Sequence, residues 1–173
     1  ATLPKNYPQP KRNYGSSQSK RYAFAVTCFW KIKDRGGMNL EKLPSQLIGN
    51  IGLFYVCYEL SRKGWNCLPT TRNAKGVDII IYDLNGKKKF TIQVKALSRR
   101  NPVPFGSKLE IMADFVIVCA EVFTDKPEVY ILTPDDVKKN IHKGVKDGKT
   151  SYWLQPQGYL KFREAWEKIG KGY

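Results

Sequence analysis

The chain holds a single histidine, His142, among 173 residues. That scarcity excludes metal centres built on several imidazoles and nucleases that depend on paired histidines. His142 itself falls where a helix is expected to end, a position that suits its charge and asks for no chemistry. The four cysteines, Cys28, Cys57, Cys67 and Cys119, are scattered without a Cys-x-x-Cys pair. They read as reduced core thiols, neither a zinc site nor a disulfide framework. No stretch approaches the ~18 uninterrupted apolar residues of a membrane span, and no polybasic run adjoins an apolar one, so a membrane role is not expected. The beginning of the chain is polar and proline-rich instead of carrying an apolar leader, so the cell interior, the cytoplasm, is expected.

Acidic residues are also scarce. Fifteen Asp and Glu face thirty Lys and Arg, a formal charge of +15. Such an excess goes beyond what solubility needs and suits a protein that meets phosphate polyanions, nucleic acid first among them. The length suits one domain able to bury roughly 70% of its unfolded surface without staples. Residues 1–37 stand apart. Their first twenty are rich in Pro, Lys, Arg, Ser, Asn and Gln with almost no aliphatic residue, the composition of a basic, partly flexible extension. Met38 looks like a translation start, so a single domain is expected over residues 38–173.

Within that domain, Ser45 after Pro44 suits a helix N-cap, and the helix should run to Arg62–Lys63 and stop at Gly64. It is apolar nearly all round, which predicts burial. Gly49 and Gly52 inside it suggest a close backbone neighbour. Two strand-like runs follow, separated by Leu84-Asn85-Gly86, as in a β-hairpin. Asp78, Ile80 and Tyr82 share one face of the first; Thr91, Gln93 and Lys95 share one face of the second. A carboxylate and an ammonium in otherwise apolar strands are costly unless a cleft uses both.

Gly76-Val77-Asp78, a short hairpin, then Gln93-Val94-Lys95, preceded by a helix and a Gly64-Trp65 turn, resembles the core motif of the PD-(D/E)XK nuclease superfamily. The Gln-Val-Lys form is similar to its Holliday-junction-resolvase-like or homing-endonuclease-like branch, since Gln stands there in some active members. The resemblance spans about Ser45 to Ile169 and implies an α/β fold, a central mixed β-sheet flanked by helices with a restriction-endonuclease-like core. It implies metal-dependent phosphodiester hydrolysis in DNA, with Asp78, Gln93 and Lys95 catalytic. Asp78, the Gln93 oxygen and the Val94 carbonyl would hold Mg2+ or Mn2+, and Lys95 would position the attacking water. Family analogy also implies a homodimer.

Two family acids are replaced. Gly49-Asn50-Ile51-Gly52 is followed by Leu53 where relatives often carry Glu, and the first tripeptide position is Gln93. Glu59 lies about 240° further round the helix and cannot substitute, whereas Gln46 or Asn50 could offer a weak oxygen ligand. Two functions therefore stay open: a DNA endonuclease of restriction, repair or homing type, and a non-catalytic DNA-binding protein on a degenerate nuclease fold. In either, Arg72, Lys75, Lys87, Lys88, Arg99 and Arg100, with Lys89, are expected to converge on one end of the sheet and contact phosphates.

The distal half should hold a basic loop, Ser98–Lys108, then strands at Ala113–Val122 and Glu128–Leu132. A helix capped by Thr133 and ended by Gly144, a short strand at Ser151–Leu154 and a final helix with Phe162, Ala165, Trp166 and Ile169 on one stripe should follow.

Overall fold

A computed structural model of the protein describes residues 43–70 and 75–173, all within one compact unit, Leu40–Tyr173. The extension expected at 1–37 and Arg72 lie outside the described residues. The elements run α1 (Ser45–Arg62), β1 (Asn66–Pro69), β2 (Ile79–Tyr82), β3 (Lys89–Ala96), β4 (Val103–Gly106), β5 (Phe115–Ala120), β6 (Glu128–Leu132), α2 (Pro134–Asn140), β7 (Ile141–Lys146), β8 (Lys149–Leu154) and α3 (Pro156–Tyr159).

The expected mixed sheet is present, in the order β1-β2-β3-β5-β6. Its β3–β5 pair is parallel and its other pairs antiparallel. β5 and β6 are buried along their whole length, as continuous apolar runs in a sheet covered on both faces should be. On one face Ile79, Ile81, Ile92, Ile117 and Ile131 pack with Val56 and Leu60 of α1. On the other, Val116, Val118, Tyr130 and Leu132 pack with Val103 and Leu154 of a second sheet, β4-β8-β7, and with Val137 of α2. Cys57, Cys67 and Cys119 carry free thiols in or against the first core. No described helix is long and apolar enough to cross a membrane.

α1 ends as its sequence predicts. Gly64, at φ 87°, donates to the Ser61 carbonyl and Trp65 to that of Leu60, the paired bonds of a Schellman motif whose left-handed residue favours glycine. Its start and burial differ from expectation. Ser45 is the first helical residue, not the cap, and no side chain caps the helix. Only Gly52, Val56 and Leu60 are buried, while Phe54 and Tyr58 are 63% and 56% exposed. The helix covers one sheet face, and among the described residues no further layer lies over it. The close neighbour expected of its glycines exists for Gly52 alone: a Cβ there would come within 2.5 Å of the Ala96 Cβ on β3, whereas Gly49 meets nothing within 4 Å.

Three expectations for the distal half are corrected. The basic loop contains β4. The helix capped by Thr133 has the reciprocal Thr133–Asp136 bonds of a capping box but stops at Asn140; Ile141 to Lys146 then pair with β8 instead of reaching a helix end at Gly144. His142 is accordingly a strand residue. The turn that makes this pairing possible is Asp147-Gly148, both at positive φ, a two-residue type I′ hairpin loop. Lastly, the final stripe is not one helix. Glu164 at φ 52° breaks it, so short 3-10 turns at Leu160–Phe162 and Trp166–Lys168 send Phe162 to the second core and Ala165 and Ile169 to the first.

The two helix glycines give opposite outcomes on substitution. Gly52→Ala should lose about 1–3 kcal/mol, because the added methyl overpacks against Ala96, while Gly49→Ala should gain about 1 kcal/mol from helix propensity. Denaturant unfolding of the two variants checks the pair.

Candidate active site

β3 is central to the sheet, and its pleat sorts its side chains. Ile92, Val94 and Ala96 turn toward α1, so Thr91, Gln93 and Lys95 turn to the opposite face. Asp78 precedes β2 at the open end of the hairpin. Ile79 is the cross-strand partner of Ile92, yet Asp78 is the residue whose N–H bonds the Ile92 carbonyl, at 2.8 Å. Pairing thus slips by one residue at this point, as in a β-bulge, a device that re-aims a side chain. The Asp78 carboxylate accepts a hydrogen bond from the Val94 N–H at 2.7 Å, which fixes it beside the Gln93-Val94-Lys95 segment.

Lys95 is half-buried, and its Nζ stands 5.2 Å from the centre of the Phe105 ring on β4. Burial lowers its proton affinity, and the Asp78 charge partly restores it. Gln93 supplies the other unusual atom: its Oε1 is buried and accepts no hydrogen bond. Thr91, further along the same face, gives its N–H and hydroxyl to Asp114, each at 2.8 Å. Phe105 and Asp114 are site neighbours that sequence reasoning misses. Phe105 sits in a stretch that reads as loop, and the only signal for Asp114 is an acid at the start of the apolar run expected as a buried strand.

Leu53 packs with the first core, on the helix that covers the sheet face opposite Gln93 and Lys95. Gln46 and Asn50 are exposed. Glu59 accepts from Arg62 of its own helix and from Lys63 at the helix C-cap, at 3.3 and 3.4 Å.

The basic residues do not all converge, which corrects one expectation. Lys87 and Lys88 lie at the hairpin turn, where Asp83 accepts their backbone N–H groups at 2.7 and 3.1 Å. Seven strand steps separate Lys88 from Lys95, about 23 Å at 3.3 Å per residue. Antiparallel pairing forces this, because a hairpin's turn and its open end are opposite ends of the sheet. Lys75 is at the open end, paired with Glu110 at 3.2 Å, and exposed Arg99 follows β3. Arg100 is committed to structure: its Nε donates to Glu128 at 2.6 Å, and Glu128 also receives Arg163 at 3.1 Å and the Tyr130 hydroxyl at 2.7 Å.

No protein-family model matches the chain, and no curated protein matches it in sequence. Among solved structures it is similar to a bacterial homing endonuclease, I-Ssp6803I, with 19% identity and a TM-score of 0.51 over 73% of this chain and 91% of that one. The chain shares its fold with that protein. At this identity the likeness concerns fold alone, and the site stands on its own residues.

Those residues fit a hard cation in kind. Asp78 supplies a carboxylate, and the unpartnered Gln93 oxygen is an acceptor that burial has stripped of water, a costly arrangement unless something occupies it. The charge supplied is small, since no group of three or more Asp, Glu, His or Cys that could hold a metal occurs among the described residues.

Two measurements check this geometry. Without metal, Gln93→Met should raise stability by about 1–3 kcal/mol, because it removes an unsatisfied buried oxygen; chelator-treated thermal unfolding reads it. The Arg100 hydrogen bonds hold the Glu128 carboxyl down at about 2, below the ordinary 4.5. A depressed carboxyl stabilises the fold above its unfolded value, so this contribution should disappear as pH falls from about 4.5 toward 2. Glu128→Gln should flatten that part of the stability profile by about one proton.

Proposed function

We propose that the protein is a metal-dependent DNA endonuclease of the PD-(D/E)XK kind, of restriction, repair or homing type. The observation that carries this reading is the buried, unpartnered Gln93 oxygen on the same face of β3 as Lys95, with Asp78 tied to the intervening Val94. Asp78, Gln93 and the Val94 carbonyl would hold Mg2+ or Mn2+. When bound, such an ion supplies Lewis acidity toward a phosphoryl oxygen and acidifies water.

The chain's own groups do the rest. The Val94 N–H orients the Asp78 carboxylate. Phe105 restricts water around Lys95, so that its ammonium acts in a medium where charge counts for more. That ammonium donates toward the developing negative charge of the scissile phosphate and steadies the attacking water. The net charge of +15 favours DNA as polyanionic substrate and speeds encounter. Two copies related by a two-fold axis would cut both strands.

A second reading, DNA binding without turnover, is favoured by the single carboxylate of the site. Octahedral Mg2+ usually recruits more anionic oxygen.

Plasmid cleavage with Mg2+ or Mn2+ separates the two. Wild type should nick or linearise DNA, and Asp78→Ala and Lys95→Ala should each lose at least about 10²–10³ in rate while still binding DNA. Wild type should also melt at higher temperature with Mn2+, a shift absent in Asp78→Ala. Intact DNA and no metal shift, with binding retained, would leave the non-catalytic reading standing.

A further inference from the structure

The β7–β8 hairpin leaves the body of the fold. At its base Ile141 and Leu154 pack into the second core. From the Lys143–Tyr152 pair outward none of its residues joins either core, and the ladder continues through Gly144–Ser151, Val145–Thr150 and Lys146–Lys149 to the Asp147-Gly148 turn. Both turn residues have positive φ, 51° and 72°, so this is a type I′ loop whose twist matches that of its strands, and the ribbon is preformed. Three β-strand steps from Lys143 to Lys146 carry it about 10 Å beyond its base.

Its chemistry is that of a surface for a polyanion. Residues 141–154 include three lysines and one acid, Asp147. Cross-strand partners share a face, so Lys143 lies on the face of Leu154 and Lys146 and Lys149 lie on the other. Positive charge is thus presented on both faces, unlike a ribbon laid flat on a single backbone. Lys146 and Lys149 are directly opposite one another, a like-charge pair that is destabilising unless an anion bridges it. Between the lysines the ribbon offers Val145, 66% exposed, with Thr150 beside it and Ser151 on the reverse face. Trp153 stacks against His142, centroids 6.2 Å apart and 17° from parallel, and stiffens the base.

We propose that this ribbon enters the major groove of duplex DNA edge-on, with Lys143 on one phosphate wall, Lys146 and Lys149 on the other, and the Asp147-Gly148 turn toward base edges. The inference rests on the DNA-binding reading above and gives it a docking element. A two-stranded ribbon fits the groove, about 12 Å wide and 8.5 Å deep. The ribbon is also joined to the candidate site, because β8 pairs with β4, which carries Phe105 against Lys95.

The test uses the full chain and a labelled duplex, with affinity followed against salt. Each phosphate contact contributes about 0.9 to the log–log slope, so Lys143→Gln/Lys146→Gln/Lys149→Gln should be shallower by about 2–3 and bind at least tenfold more weakly at fixed salt. Lys126→Gln, in an exposed turn elsewhere, should lose neither comparably. Dimethyl sulfate footprinting should show protection of guanine N7, in the major groove, that the triple variant lacks. Equal melting temperatures of triple variant and wild type would attribute the change to contact. If wild type binds with the triple variant unchanged in slope and affinity, or protects only adenine N3 in the minor groove, the ribbon assignment is overturned while the DNA-binding reading survives. No salt-dependent binding by wild type overturns both.

Discussion

Strand β3 is hydrogen-bonded on both sides, by β2 and by β5, and cannot rotate to relieve what its sequence places on either face. Its pleat sends Ile92, Val94 and Ala96 under α1 and forces Thr91, Gln93 and Lys95 to the opposite side. The close contact of Gly52 with Ala96 fixes how near the helix approaches, and the parallel register Lys95↔Val118 fixes where the charged face lies in the sheet. A buried amide oxygen and a half-buried ammonium are consequences of that strand's position. They persist because the apolar face of the same strand holds the core together.

The scarce carboxylates are spent with economy. Glu128 gathers Arg100, Arg163 and Tyr130; Asp83 closes the hairpin turn; Asp136 completes the capping box with Thr133 and meets Lys168; Asp114 holds Thr91. Each is matched to N–H or O–H donors, which suits acids in a strongly basic chain. Asp78 differs in that its bond goes to the backbone inside the Gln93–Lys95 segment, leaving it beside the two unusual side chains of β3.

The second sheet does two jobs. β4 brings the Phe105 ring to 5.2 Å from the Lys95 Nζ, and β8, its neighbour, extends into a basic ribbon. A scaffold strand and a surface element therefore share one ladder.

The sequence by itself determined the elements whose signals are local: the end of α1 at Gly64, the hairpin around Asn85-Gly86, the capping box at Thr133, the apolar strands β5 and β6, and the alternation that joins Gln93 to Lys95. It also determined the charge. Tertiary structure decided what depends on distant pairing. Ile141 to Lys146 leave a helix-like context because β8 offers them a ladder, and the last aromatic stripe divides because two cores compete for it. Lys87 and Lys88, near Lys95 in sequence, are carried to the far end of the sheet because an antiparallel hairpin separates its turn from its opening. Phe105 could come to Lys95 only through the folding of a second sheet. The unpartnered state of the Gln93 oxygen is of the same kind, since burial without a donor is a property of everything packed around an atom and not of the residue that carries it.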